Sequence, residues 1–338
     1  MPQSLYHPDR VMQLILRDPI TQHDLIVLDI CGPEMGAQGI SLLSGFSGLM
    51  HAPRTVTRES AAHQEGSKPG DFPRVDERII DIRLSTKGNT PALWETIDNL
   101  LWRVLTFDED AYLRWYSAKG YWREMKVRLE RKPVDTMTYD PRVTQHMVWS
   151  VTLLASDPWW YGVTHSSTWK NTDATGSGTL RLFNPTPRPL WVQFAGNKIL
   201  SGSGERWTLP DAGVKYPTGH AKAGQFVTHT LPLLTPGKEF YVDTHPLRET
   251  LMVKDNSLEW AKMKAEEFLF AIPPHTRPFE VPVSVVGGST QSSVTAFMET
   301  RYDRPWGGEA PWYVVPTHPM HTDGMFEYGN NDPVVMPA

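Results

Sequence analysis

Proline and glycine occur along the whole chain and separate its apolar runs from one another. The 338 residues include 29 prolines and 25 glycines, and these are not gathered in one tract. The runs between them are rich in β-branched and aromatic residues, with 13 Trp, 12 Phe and 11 Tyr in the chain. Frequent turn residues that alternate with such runs are typical of sandwiches and barrels. The sequence therefore predicts a mainly β protein.

One segment has the periodicity of a helix instead. Thr90 is a candidate N-cap, and Pro91 would occupy the first helical position, where the missing N–H costs nothing. We therefore expect one amphipathic helix at about 90–105, which makes the fold class β with one helix (β+α). The apolar residues that follow at steps of three and four predict its buried stripe: Leu93, Trp94, Ile97, Leu100, Leu101, Val104 and Leu105.

A first domain of residues 1–160 is expected to carry this helix. Val11–Arg17 and Asp24–Ile30 predict a hairpin around the turn at Asp18-Pro19. Residues 32–74 lack clear periodicity and predict a long loop or arm, which in a compact domain is usually a lid, arm or binding loop. Further strands are predicted at Asp76–Ser85, Ala111–Tyr116, Trp122–Arg131 and Gln145–Ala155.

A second domain of residues 161–307 has an almost wholly β pattern. Asn171–Gly178 predicts a polar linker, and Ser257–Lys264 predicts one helical turn with Leu258 and Met263 facing inward. Residues 308–338 are rich in proline and predict an extended C-terminal segment that packs on something or stays loose. Strands are predicted at Thr179–Phe183, Leu190–Phe194, Glu239–Val242, Glu267–Ile272, Val281–Val286 and Ser293–Tyr302.

The charge of the chain excludes two classes of partner. The formal net charge is -5, and neither half is basic enough to follow a phosphate backbone, so we expect no nucleic-acid partner. A polybasic patch for a membrane surface is absent from the sequence as well. The first ten residues have no apolar core, so we expect no signal peptide. The uncharged stretch at 35–53 contains too much glycine and serine for a membrane helix.

The residues offer little for catalysis, a cofactor or a metal. The single cysteine, Cys31, excludes an internal disulfide and is expected to be a buried small apolar residue. His318 and His321 form an H-x-x-H pair, but zinc requires further ligands. The acidic run 108–110 is expected to be a solvated turn. We therefore predict no catalytic, cofactor-binding or metal-binding residues.

Aromatic residues at the border of the two domains allow two interpretations. Trp159, Trp160 and Tyr161 are contiguous, and contiguous residues of a strand point to alternating faces. Packing between the domains is therefore favoured, and stacking against a sugar is the alternative. Trp306 and Trp312 are expected to anchor the proline-rich segment.

In combination, several segments resemble the distal tail proteins of siphophages, in the version seen in phages of actinobacteria. The order and spacing of the segments carry this resemblance, which covers roughly residues 10–307. The segments are TPALWETIDNLLWRVL from Thr90, WREMKVRLERKP from Trp122, SVTLLASDPWWYG from Ser150, GTLRLFNPTPRPLWVQFAG from Gly178, FYVDTHPLRETLMV from Phe240, FLFAIPPHTRPFEVPVSVVGG from Phe268 and RYDRPWG from Arg301.

The resemblance implies a structural protein of the virion rather than an enzyme. Members of this family form a homo-hexameric ring of N-terminal domains that links the tail tube to the tail tip or baseplate. Their C-terminal domains are galectin-like or jelly-roll β-sandwiches. The implied partners are the tail tube protein, the tape measure protein and the tail-tip hub protein, and the implied location is the virion tail tip after assembly in the host cytoplasm.

Two other functions remain open at this point. The second domain could be a carbohydrate-binding module with weak contact to a host cell-wall glycan, which requires several exposed rings on one face. A hydrolase would require a pair of carboxylates held in a cleft. The sequence favours the structural ring protein over both.

Overall fold

The chain forms two compact units, each with its own core. The computed structural model describes residues 11–60, 65–70, 73–135, 137, 139–197, 199, 204–263 and 266–316. The first unit contains the described residues up to Gly162 with Tyr302–Gly308 and 315–316, and the second contains Val163–Arg301 with Glu309–Val314. Residues 302–307 thus belong to the first unit, although the sequence analysis assigned them to the second domain.

Strands dominate both units, which confirms the prediction of a mainly β fold. In the first unit the elements are β1 (Val11–Arg17), β2 (Asp24–Cys31), β3 (Ile40–Ser47), β4 (Arg54–Thr55), β5 (Arg58–Glu59), β6 (Lys68–Pro69), β7 (Arg74–Val75), β8 (Arg78–Lys87), α1 (Pro91–Val104), β9 (Ala111–Tyr116), β10 (Trp122–Leu129), β11 (Val134–Asp135), α2 (Pro141–Thr144), β12 (His146–Ala155) and the start of β13 (Trp160–Lys170).

The long strands of the first unit form one curved antiparallel sheet. Its order is β3-β8-β12-β10-β9-β1-β2, with β11 as a further partner of β12. β2 and β3, at the two ends of this order, lie close to each other, so the sheet nearly closes into a barrel. The predicted hairpin is confirmed, because β1 pairs with β2.

Helix α1 begins as the sequence predicts and buries most of its predicted stripe. The Thr90 hydroxyl accepts a hydrogen bond from the Leu93 amide at 3.2 Å, and Pro91 opens the helix. Ile97 and Leu101 lie in the core of the first unit. Leu93 does not belong to the buried stripe, because it is 44% exposed on the first turn of the helix.

Residues 32–74, predicted as one loop or arm, contain strands. β3 pairs with β8, but its later residues are exposed and Gly45 has a φ of +93°, so the segment shows no alternation. Between β3 and β8 the chain forms a two-stranded ribbon in which β4 pairs with β7 and β5 pairs with β6. The prediction of a projecting arm therefore agrees with the ribbon, and the prediction of a loop is wrong for β3.

The second unit is a sandwich of two antiparallel sheets around an apolar core. One sheet has the order β14-β20-β16-β17 and the other β13-β21-β15-β18-β19. Its further elements are β14 (Thr175–Asn184), β15 (Gln193–Gly196), β16 (Arg206–Lys215), β17 (Phe226–Thr230), β18 (Phe240–Asp243), β19 (Leu251–Val253), a 3₁₀ helix (Glu259–Met263), β20 (Thr276–Val286) and β21 (Ser293–Tyr302).

Several predictions for this unit need correction. The second half of the predicted linker Asn171–Gly178 is the start of β14, where a Cβ at Gly178 would lie 2.0 Å from Trp169 Nε1. Glu267–Ile272 is not a strand, and β13, β16, β17 and β19 were not predicted. In the predicted helical turn, Met263 is buried as expected but Leu258 is 69% exposed.

Substitution of Leu101 by Asp tests the packing of α1. Leu101 is completely buried, so Leu101→Asp would place an unpaired carboxylate in the core. The cost is several kcal/mol, comparable with the stability of a whole domain, and we expect no soluble folded protein. Leu93→Asp on the exposed side of the same helix is the matched control and should melt within a few degrees of the unchanged protein. Equal thermal melting of both variants would contradict this packing.

Candidate assembly surfaces

A buried arginine at the start of β8 holds three segments of the first unit together. Arg78 is completely buried, and its guanidinium donates to main-chain carbonyls. Nη1 bonds the carbonyls of residues 48–50, at 3.0 and 2.9 Å for the first two. Nε and Nη2 bond the Pro158 carbonyl at 3.0 and 2.8 Å, and Nη2 bonds that of Asp303 at 2.9 Å. We call this arrangement the Arg78 clamp.

The Arg78 clamp is positively charged at neutral pH. Burial lowers the pKa of Arg78 to about 10, and the nearby charge of Asp303 opposes this shift. The Asp303 carboxylate also pairs with Arg54, at the base of the ribbon, at 2.7 Å. The clamp and this ion pair therefore fix the point at which the ribbon leaves the sheet.

The ribbon projects from this base with its side chains in solvent. It closes at a hydrogen bond of 3.1 Å from the Asp76 amide to the Pro53 carbonyl. Between residues 53 and 74, every side chain whose burial the structure describes is exposed. A two-stranded ribbon by itself is marginally stable in water. The ribbon is therefore a candidate surface for contact with another molecule.

A shallow apolar pocket lies beside the Arg78 clamp. Its volume is about 300 Å³. The ring centroids of Trp115, on β9, and Trp306 lie 5.1 Å apart in its wall. We call this pocket the socket. Its lining residues are Phe46, Ser47, Gly48, Leu49, Met50, His51, Trp115 and Trp306.

A second buried arginine holds the segment that carries Trp306. Arg123 Nη1 donates to the Arg304 carbonyl at 2.7 Å and to the Gly307 carbonyl at 2.9 Å. Its guanidinium lies 3.3 Å from the ring centroid of Tyr302, a cation–π geometry. The Gly307 amide donates to the Tyr121 hydroxyl at 3.2 Å. The wall of the socket is therefore built on a fixed main chain.

Alternating charges rigidify the first hairpin. Arg17 bonds Asp24 at 2.7 Å and Glu124 at 2.9 Å, and Arg114 bonds Asp24 at 3.0 Å. Burial alone would lower the pKa of Arg17, but Glu124 and Asp24 raise it above its ordinary value. These groups satisfy one another, so they form a structural network rather than a set of groups available for catalysis.

The candidate chemical residues of the sequence are not brought together into a site. Cys31 is half-buried against the core rather than fully buried. Asp108 and Glu109 are exposed, as predicted for a solvated turn, and Asp110 pairs with Arg128. The His318–His321 pair lies outside the described residues. Within the part of the chain that the structure describes, no three His, Cys, Asp or Glu side chains could together hold a metal ion.

The aromatic residues act as anchors within each unit. Trp160 is completely buried in the first unit, and its Nε1 donates to the Leu49 carbonyl at 3.0 Å. Trp312 Nε1, in the second unit, donates to the His275 carbonyl at 3.2 Å, and the Trp312 ring lies 6.2 Å from that of Phe183. Trp306 and Trp312 thus anchor their segments as predicted, and Trp160 presents no face for a sugar.

Arg78 and Arg123 were not recognised from the sequence, although a signal for both is present. Arg78 precedes Ile80 by two residues, and Arg123 precedes Met125 by two, so each arginine has the phase of the buried side chains of its strand. An arginine in phase with a core face predicts a buried guanidinium.

Among the described helices, none is long and apolar enough to cross a membrane.

Comparison with known proteins gives one sequence relative. The chain is 23% identical over 320 residues to the minor tail protein Gp27 of Mycobacterium phage L5. The match covers 81% of this chain and 94% of that protein, so both units are included. No protein-family model matches the chain.

Solved structures share the fold at lower identity. The Dit protein (gp 19.1) of phage SPP1, described as a paradigm of the hub adsorption apparatus in phages that infect Gram-positive bacteria, has a TM-score of 0.52 at 11% identity. That match covers 86% of this chain and 98% of the other. A chain of the phage P2 baseplate in its activated conformation with Ca also has a TM-score of 0.52, at 10% identity, with 87% and 99% covered.

Removal of the Arg78 guanidinium should destabilise the first unit. Arg78→Met removes the donor that carbonyls of three segments share, at roughly 1–3 kcal/mol for each carbonyl left unsatisfied. We expect the free energy of unfolding to fall by about 3 kcal/mol or more. Arg78→Lys should recover only part, because lysine has three donors on a compact charge. Arg83→Met, at an exposed position of the same strand, should change stability by no more than about 0.5 kcal/mol.

Urea unfolding of the three variants measures these differences. The result that would contradict the Arg78 clamp is a midpoint for Arg78→Met equal to that of Arg83→Met.

Proposed function

We propose that this chain, whose resemblance to siphophage distal tail proteins is confirmed by its relatives, forms a ring of six copies in a phage tail. The ring would link the tail tube to the tail tip or baseplate. The proposed neighbours are the tail tube protein, the tape measure protein and the tail-tip hub protein. In this proposal the protein is assembled in the host cytoplasm and functions in the virion.

The similarity to a phage minor tail protein, over 81% of this chain and 94% of that protein, carries this proposal. The similarity includes both units of the chain, so the two proteins share the two-unit architecture rather than a single domain. The relatives are structural proteins of phage tails, and we accordingly propose that this chain has no catalytic activity. Release of reducing sugar or peptide from host cell walls by the purified protein would contradict this part.

The first unit has the properties that ring formation requires. A closed ring uses a heterologous interface, in which one surface of a copy meets a different surface of its neighbour. The exposed ribbon and the socket are two such different surfaces, and both belong to the first unit. We therefore place the ring contacts before about Asp157, with the return segment Tyr302–Gly308 contributing Trp306.

The alternative of a carbohydrate-binding module has less support. Such a module needs several rings exposed on one face. Trp160 is buried in the first unit, while Trp312 packs within the second. Weak contact with a host cell-wall glycan stays a prediction that binding of the full chain to wall polysaccharide would test.

Electron microscopy of the purified protein and of the phage tail tests the ring directly. We expect a sixfold ring at the tail axis, formed by this chain. Any other number of copies there would contradict the proposal.

Shortening of the ribbon tests its part in assembly. Pro53 and Asp76 are already hydrogen-bonded, and Arg54 pairs with Asp303, so a short Gly-Ser turn in place of residues 56–73 keeps both contacts and should leave the sheet intact. We expect unchanged melting but loss of the ring, measured by light scattering and electron microscopy.

The matched control for this variant lies in the second unit. A short turn in place of residues 217–224 removes an exposed loop that closes at a 2.9 Å bond between Tyr216 and Gln225. This control should still form rings. Full ring assembly by the ribbon variant would show that the ribbon contacts something other than a neighbouring copy.

A further inference from the structure

We infer that an exposed apolar patch on the first unit enters the socket of a neighbouring copy. This inference rests on the proposed ring and specifies the contact that closes it. The patch lies around β11 and α2, and we call it the knob. Its members are Val134, Met137, Tyr139 and Val143.

The knob is apolar, exposed and held in place. Its four side chains are 57%, 56%, 74% and 77% exposed in chain order. β11 is paired with β12, and the Asp140 carboxylate caps α2 through the Arg142 amide at 2.9 Å. Asp140 also forms an ion pair with Arg142 at 2.8 Å. Several large apolar side chains exposed within one short stretch of chain mark a candidate interaction site.

The socket has the size and lining that an aromatic side chain needs. Its volume of about 300 Å³ exceeds that of one tyrosine side chain, and its walls include the rings of Trp115 and Trp306. Phe46 and Met50 are 41% and 39% exposed at its rim, so the pocket is open to an incoming group. Tyrosine suits such a place, because its ring packs on aromatic walls while its hydroxyl stays in contact with solvent at the open side.

The positions of the two surfaces prevent a copy from filling its own socket. Val134 is opposite Ser150 on β12, whereas the socket residue Gly48 lies against the main chain of Ile79, which pairs with Leu154. These points are four residues apart on a paired strand, roughly 13 Å. The remaining knob residues lead towards the other end of β12, which begins at His146. The contact that we infer therefore joins different copies, and it closes a ring when the knob of each copy enters the socket of the next.

Polar groups that can hydrogen-bond to each other lie at the two surfaces. Asp135 lies beside the knob, and His51 lies in the socket lining; both are exposed, and neither has an ion-pair partner among the described residues. An acidic side chain on the incoming segment would thus meet an imidazole at the rim.

One contact of this size is too small to hold a stable dimer, so it favours assembly into a closed ring. Burial of one aromatic side chain removes roughly 150–250 Å² from solvent. Stable interfaces bury about 800 Å² on each partner. A single knob-in-socket contact is therefore weak, but in a closed ring each copy makes two of them and adds the ribbon contacts. Assembly should accordingly depend on concentration and proceed directly to rings.

Cysteine cross-linking with a short bis-maleimide tests the pairing. The double variant Tyr139→Cys, Met50→Cys carries one reactive group on each surface. We expect a ladder of cross-linked species that ends at six copies. An equimolar mixture of the two single variants should give dimers only, and each single variant alone should give none. The unchanged chain, with Cys31 as its single cysteine, measures the background.

A second pair of variants measures the contribution of the knob. Tyr139→Asp should raise the concentration at which half of the copies are in rings by at least about tenfold, as for a central interface residue. Leu247→Asp is the control, since Leu247 is 88% exposed on the second unit and should leave this concentration unchanged. Thermal melting of both variants should match the unchanged chain, because both positions are exposed.

The outcomes separate this inference from the proposed function. Rings of the unchanged chain without cross-links in the double variant would overturn the knob and socket and leave the ring in place. Cross-linked dimers of a single variant would show a symmetric contact and overturn the inference as well. Absence of rings in solution and in phage tails would contradict the proposed function, and the inference would fail with it.

Discussion

The guanidinium of Arg78 determines how the first unit is put together. It is completely buried, yet its partners are main-chain carbonyls rather than a carboxylate. Removal of a charge from water costs several kcal/mol unless hydrogen bonds satisfy its donors. Here the carbonyls come from three separate parts of the chain, and all of them would lose a shared donor without the arginine. The hydrogen bonds therefore offset the cost of burying the charge. They also hold residues 48–50, Pro158 and Asp303 at one point.

This arrangement explains why both candidate assembly surfaces lie near the same place. The ribbon leaves the sheet a few residues after the segment that Arg78 binds, and the socket is lined by that segment itself. Arg123 likewise holds the segment that carries Trp306, by donating a hydrogen bond to the Arg304 carbonyl. With a single cysteine in the chain, covalent cross-links within it are excluded, and buried arginines fix the distant segments instead. Arginine suits this role because five donors in a planar group reach several carbonyls at once.

The elements that could be predicted from the sequence are those whose formation depends on nearby residues. The hairpin β1–β2 and helix α1 each have a regular pattern and a local signal, at Asp18-Pro19 and Thr90-Pro91, and the structure has both. β16 was missed because it contains Pro210, Asp211 and Gly213, which favour turns. Asp211 also accounts for the false strand at 267–272: its carboxylate accepts the amides of Leu269 and Phe270 at 2.9 and 3.2 Å, so those amides are not available for pairing with a strand.

The candidate site was harder to predict, for a physical reason that the knob illustrates. Periodicity assigns apolar residues to a core when they recur on one face. Val134 lies in a two-residue strand, Val143 in a four-residue helix and Tyr139 between the two, so none of them belongs to a repeat. Their exposure depends on where β10 ends, on where β12 begins and on the pairing of β11 with β12. None of these is a property of the local residues. Apolar side chains that no periodic face explains can therefore be assigned to core or surface only once the sheet has fixed their position.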